Sequence, residues 1–131
     1  MTTPTTEIST PKAPAAIGPY SQGIASGGFI FVSGQLGLDP IQGTLVGSGI
    51  VDQTQQILRN LTAIAEAAQA PLNHLVKLTI YLVDLADFDV VNQLLEQALT
   101  LPYPARTTIG VNALPKGARI EIDAILVKAD G

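Results

Sequence analysis

Two charged side chains stand where the apolar pattern around them leaves little room for charge. Arg106 lies in the run Tyr103-Pro104-Ala105-Arg106-Thr107-Thr108, at the mouth of a strand, where Pro104 stiffens the chain and fixes its direction. Glu121 lies in Gly117-Ala118-Arg119-Ile120-Glu121-Ile122-Asp123, between two isoleucines. A guanidinium grips a small carboxylate through two parallel hydrogen bonds. A partly buried carboxylate orients a water or takes a proton from it. Each residue also has a plain structural alternative. Arg106 reads equally as a surface arginine, and Glu121 as half of a sheet-face ion pair with Lys77 or Arg119. Asp123 shares the face of Glu121 by the strand period of two, so the two carboxylates would raise each other's pKa.

Two upstream motifs add polar groups. Tyr20, after Gly18-Pro19, carries a hydroxyl that reaches either a ligand or a partner in the core. Ser33-Gly34-Gln35 closes the first long strand, and Gly34 either lets a backbone N–H approach a ligand or marks a β-bulge. Asn92, on the flank of a helix, reads as structural. The chain has no cysteine and one histidine, His74. Thiol nucleophiles, disulfides and thiolate metal sites are therefore excluded, and no metal centre or other cofactor is expected.

The elements that must position these residues follow from the hydrophobic pattern. Residues 1–13, rich in Thr and Pro, read as a flexible N-terminal tail, with a single domain over 14–131. A short extended piece before Ser26-Gly27-Gly28 leads into the apolar run Phe29-Ile30-Phe31-Val32-Ser33, a strand. Ile50 to Ala68 is helical, with Ile50, Ile57, Leu61, Ile64 and Ala68 on one face and Asp52, Gln55, Arg59 and Glu66 opposite. A strand at 76–83 and a helix at 87–100 follow. The helix is expected to bury Phe88, Val91, Leu94, Leu95 and Ala98, and Pro102 and Pro104 stop it. Two last strands, about 107–113 and 119–128, flank a turn at Pro115-Lys116-Gly117. The order is β-β-α-β-α-β-β, an α+β domain with two helices packed on one face of a mixed sheet.

That sheet has a second apolar face. In the last strand Ile120, Ile122, Ala124 and Leu126 face the helices, but Ile125 and Val127 point away. A face with no helices to cover it is expected to be buried against copies of the chain. The geometry of the last two strands leads the same way. If the Lys116-Gly117 turn closes a hairpin, Glu121 opposes Asn112, and Arg106 lies six residues further on, roughly 20 Å away at strand rise. Either those strands are not direct partners or the site forms between subunits, and the spare face favours the second.

Composition sets outer limits. The chain has 131 residues, 47% of them hydrophobic and 14% charged, with a formal net charge of −4. Its few basic residues are scattered, which argues against a dedicated nucleic-acid partner. No apolar run is long enough to span a membrane, and the N-terminus lacks the basic-then-apolar pattern of a secretory signal. A cytoplasmic location is expected.

The four motifs, in this order and spacing, resemble the RidA (YjgF/YER057c/UK114) family of reactive-intermediate deaminases, over nearly the whole chain after the first dozen residues. The resemblance implies a homotrimer of the chorismate-mutase-like α+β fold with sites at subunit interfaces. It implies a cofactor-free hydrolase that converts 2-iminobutanoate and 2-iminopropanoate into 2-keto acids and ammonia. By the same resemblance Arg106 holds the substrate carboxylate and Glu121 the hydrolytic water, while Tyr20, Ser33, Gly34 and the backbone carbonyl of Thr108 complete the pocket. Many members carry cysteine at the position of Thr108, and aromatic residues where this chain has Leu95, Ala98 and Leu99.

Two other functions are open to such a chain. One is a non-catalytic trimer that binds small carboxylates and regulates a partner, distinguished by Arg106-dependent binding without turnover. The other is a ribonuclease or translation inhibitor, against which the acidic balance and the lack of a histidine pair weigh.

Overall fold

The computed structural model describes residues 4–129. The regular elements are β1 (Thr6–Ile8), β2 (Gly23–Ser26), β3 (Phe29–Gln35), α1 (Ile50–Ala67), β4 (Leu75–Leu82), α2 (Phe88–Ala98), β5 (Ala105–Gly110) and β6 (Ile120–Val127). They form one six-stranded sheet in the order β1-β2-β3-β6-β4-β5. All neighbours are antiparallel except β4 and β5, which run parallel. A parallel pair needs a long return path, and α2 supplies it.

The helices lie on one face because the sequence makes only that face uniformly aliphatic. Ile30 and Val32 of β3, Leu78, Ile80 and Leu82 of β4, and Ile120, Ile122, Ala124 and Leu126 of β6 are all buried. They meet Ile57, Leu61 and Ile64 of α1 and Val91 and Leu95 of α2 in a single core. Each such Leu or Ile contributes about 1.5–3 kcal/mol when fully buried. Asp52, Gln55, Arg59 and Glu66 point to solvent, as the helical spacing predicts. On the open face Phe29, Phe31, Ile109 and Val127 remain substantially exposed.

Three expectations need correction. The last two strands are not a hairpin: β4 lies between β5 and β6. The Lys116-Gly117 turn, with φ of +60° and +68° at its two residues, redirects the chain past β4 rather than folding it back on β5. Part of the segment read as a tail is also structured. Thr6, Glu7 and Ile8 pair with Ala25, Ile24 and Gly23, Ile8 and Ala13 are buried, and the Thr10 backbone exchanges hydrogen bonds with the Gln22 amide at 2.7 and 3.0 Å. Residues 1–3 of that segment lie outside the described residues. Finally, α2 buries Val91 and Leu95 but leaves Phe88 and Ala98 exposed.

A buried polar row on α1 ties the loop after β3 to the start of β6. The Asn60 amide donates to the carbonyls of Leu36 and Leu38 at 3.2 and 3.1 Å. Gln53 donates to Gly47 O at 2.9 Å and accepts from Arg119 N at 2.8 Å. Gly37 must lack a side chain here, since a Cβ would come within 2.7 Å of the Gln53 backbone. Arg119 is held on three sides. Its carbonyl accepts from Val83 N at 3.2 Å, and its Nη2 donates to both Asp87 oxygens at 2.9 Å. Glu121 follows two residues later.

Candidate active site

The site residues fall into two groups. The first lines a cleft of about 630 Å³ that includes Tyr20, Ser33, Gly34, Lys116 and Glu121, with Ile17, Leu36 and Ile41 among its apolar lining. β3 and β6 bring this group together through an irregularity in their pairing. The register slips between Val32 and Gln35, and the bulge lays Gly34 against the Glu121 side chain. A Cβ at position 34 would collide with the Glu121 carboxylate. Ser33 donates its hydroxyl to Ser21 O at 2.6 Å, and its oxygen keeps its capacity to accept. Tyr20 is exposed, and its hydroxyl accepts only a long contact from Ile17 N at 3.4 Å.

Glu121 makes no ion pair among the described residues. Both candidate partners are engaged elsewhere: Lys77 Nζ donates to Thr107 Oγ1 at 2.7 Å, and Arg119 pairs with Asp87. Burial, and then the neighbouring Asp123 charge, push the Glu121 carboxyl above its usual range. Asp123 accepts a hydrogen bond from Tyr81 Oη at 2.8 Å. That bond, with burial and the two carboxylates, raises the Tyr81 phenol in turn. The arrangement is a half-buried carboxylate with raised basicity beside an open cleft.

Arg106 and Thr108 form the second group, on the other side of the sheet. Arg106 stands level with Leu78, and Glu121 level with Tyr81. Three positions along a strand is an odd step, so the two side chains leave opposite faces. Arg106 points to the helix side and borders a cavity of about 250 Å³ with Leu78, Asn92, Leu95, Leu99 and Tyr103. Its Nε donates to Thr108 Oγ1 at 2.8 Å, its Cζ stands 5.0 Å from the centroid of the Phe88 ring, and its Nη2 is buried without a partner. Burial lowers its pKa from the ordinary value.

Of the six residues expected at the site, Tyr20, Ser33, Gly34 and Glu121 line one cleft, and one chain does not bring Arg106 and Thr108 to them. Sequence reasoning missed two neighbours. Phe88 was assigned to the core, and a helix-start phenylalanine shows nothing in sequence of the arginine it will meet 18 residues later. Lys116 reads in sequence only as part of a turn, although its position three residues before the anchored Arg119 puts it on the rim of the cleft that Glu121 lines.

The chain is similar to proteins of known structure and name. The 2-iminobutanoate/2-iminopropanoate deaminase of Capra hircus is 48% identical over 121 residues, covering 92% of this chain and 88% of that protein. The crystal structure of RidA from an Antarctic Psychrobacter is 46% identical, with a TM-score of 0.90 over 93% of this chain and 98% of that one. The Escherichia coli TdcF structure with bound serine is 36% identical, with a TM-score of 0.86 over 95% and 99%. The family model described as endoribonuclease L-PSP matches residues 10–128. Since that match takes in nearly every described residue, the chain belongs to this family, also known as RidA or YjgF.

Proposed function

We propose that the chain hydrolyses small 2-imino acids, such as 2-iminobutanoate and 2-iminopropanoate, to 2-keto acids and ammonia, at sites assembled between copies in a homotrimer. The observation that carries this reading is the division of the site. An uncommitted carboxylate sits on the open face and an incompletely partnered guanidinium on the other. The exposed Phe29, Phe31, Ile109 and Val127 give a second copy an apolar surface to cover. The similarity to named deaminases supplies the substrate class.

The chemistry needs little machinery. Arg106 holds the substrate carboxylate, which fixes the iminium carbon near the water that Glu121 orients. The water oxygen bonds to that carbon as Glu121 takes one of its protons, giving a neutral carbinolamine. Glu121 returns the proton to the amino nitrogen, the C–N bond breaks, and ammonia leaves as the hydroxyl passes its proton to Glu121 and becomes the keto oxygen. Glu121 then gives that proton up to the departing ammonia, which leaves as ammonium. Arg106 stays protonated throughout and cannot serve as the base. The Tyr20 and Ser33 hydroxyls lie within the same cleft to orient the reacting nitrogen and oxygen.

A coupled assay tests this directly. A threonine dehydratase generates 2-iminobutanoate, and keto-acid release is followed with and without this protein. Acceleration that vanishes in Glu121→Gln is expected, and no acceleration at any concentration would refute the enzymatic reading. The relative solved with bound serine favours a second reading, a small-carboxylate binder. Arg106-dependent binding without turnover would establish it. The family description also carries a ribonuclease activity. The acidic balance and the single histidine, His74, whose Nδ1 meets Val127 O at 3.1 Å, weigh against that chemistry here.

A further inference from the structure

Two contacts hold the Arg106 guanidinium, and they constrain different motions. The Phe88 ring, 5.0 Å from Cζ, supports the flat face and limits tilt. The Thr108 hydroxyl accepts from Nε at 2.8 Å and limits rotation within the plane. Positions 106 and 108 share a strand face by the period of two, so the acceptor is carried on the same rigid element as the arginine.

A guanidinium offers two bidentate edges to a carboxylate: the side edge, Nε with one Nη, and the end edge, both Nη atoms. In this chain the side edge is already occupied. The end edge makes no hydrogen bond among the described residues, and its Nη2 is buried beside the cavity that Arg106 borders. We propose that Thr108 and Phe88 are positioning residues that commit Arg106 to an end-on grip of the substrate carboxylate. This rests on the reading of Arg106 as the carboxylate clamp, and gives Thr108 a side-chain role in addition to the backbone role implied by resemblance. A cysteine at 108 is a poorer acceptor, because sulfur accepts weakly. A valine offers none and leaves a partly buried N–H unpaired.

The test uses the assembled protein, with 2-oxobutanoate as the titrated ligand and imine hydrolysis as the kinetic readout. Thr108→Val, close in shape but without the oxygen, should weaken Kd and raise KM about tenfold, the effect of losing one hydrogen bond to a charged group. The kcat value should change much less, because Glu121 and its water are untouched. Thr108→Ser restores the acceptor and should return both constants to within about twofold of wild type. Phe88→Leu, which keeps bulk but loses the π face, should weaken Kd about threefold. Melting temperatures measured in parallel separate misfolding from misplacement. Wild-type Kd and KM in Thr108→Val, or failure of serine to rescue, would overturn the positioning role while leaving the clamp intact. Undiminished 2-oxobutanoate binding by Arg106→Ala would instead overturn the clamp.

Discussion

The carboxylate of Glu121 occupies the space in which any residue but glycine at position 34 would carry its Cβ. Gly34 is not among the residues with positive φ, so glycine is required there for room rather than for backbone conformation. Gly34→Ala should therefore displace the carboxylate and leave the strand itself intact. Turnover should fall by roughly 10- to 100-fold, as for small misplacements of a reacting group, with little change in melting temperature. Wild-type kcat/KM in this variant would show that the observed Glu121 placement is irrelevant to the reaction.

Glu121→Gln separates catalysis from stability. Turnover should drop roughly 100-fold or more, as for loss of a general base, while 2-oxobutanoate affinity changes little. Burial and Asp123 raise the folded carboxyl above its unfolded value. The protonated form is thus the one the fold favours. The group's stabilising contribution is complete below the ordinary carboxylate range and is lost as pH rises through the raised value. At neutral pH glutamine should leave the melting temperature unchanged or higher, and the difference should close towards pH 4. A lower melting temperature at pH 7 would point to a structural carboxylate.

The rate should carry the same signature. The acid limb of kcat/KM should fall above the ordinary carboxylate range, because Glu121 must be ionised to accept a proton. Asp123→Asn removes the second cause of the shift, and the limb should move to lower pH. Tyr81 loses a charged acceptor in this variant, so its phenol should titrate closer to its usual range. A limb that stays in place would exclude Asp123 as an influence on the base.

Arg106→Lys keeps the charge and loses the fork. KM should rise at least tenfold, together with the Kd for 2-oxobutanoate, since a point ammonium replaces two aligned donors. Unchanged constants would remove Arg106 from the site.

Mixing two inactive variants tests whether sites are shared. If one copy supplies Arg106 and another Glu121, unfolding and refolding Arg106→Ala together with Glu121→Gln leaves about a quarter of the sites with both native groups, by random pairing across a symmetric interface. Activity should return to about that fraction of wild type. Two variants that stay inactive when mixed, in an assembly shown to contain both, would place the site within one chain.

The parts of this fold that were legible in sequence are those written in local periodicity. The alternation of Leu78, Ile80 and Leu82 with Thr79 and Tyr81, and of Ile120, Ile122 and Ala124 with Glu121 and Asp123, correctly divides two faces of the sheet. Strand order is not a local property. Nothing around Pro115-Lys116-Gly117 shows that β4 will be inserted between β5 and β6, so adjacency in sequence was taken for adjacency in the sheet. The error matters for the site, because face assignment relative to β4, and not distance along a hairpin, separates Arg106 from Glu121. The short β1 escaped notice for a related reason: three residues in a Thr-rich segment carry no period, and their pairing is set by the β2 edge they join.

The anchoring of Arg119 has a consequence for how such a chain can diversify. Backbone N–H, carbonyl and guanidinium are each held by a different element, namely α1, the end of β4 and the start of α2. Changes in the connection that precedes it, from Val111 to Ala118, are arrested at that residue. Pro115 and Lys116 in this connection border the cleft, whereas Glu121 lies beyond the anchor. Under the proposed function, that rim is free to vary in length and charge while Glu121 keeps its place, so selectivity and reactivity can evolve separately within one continuous stretch of chain.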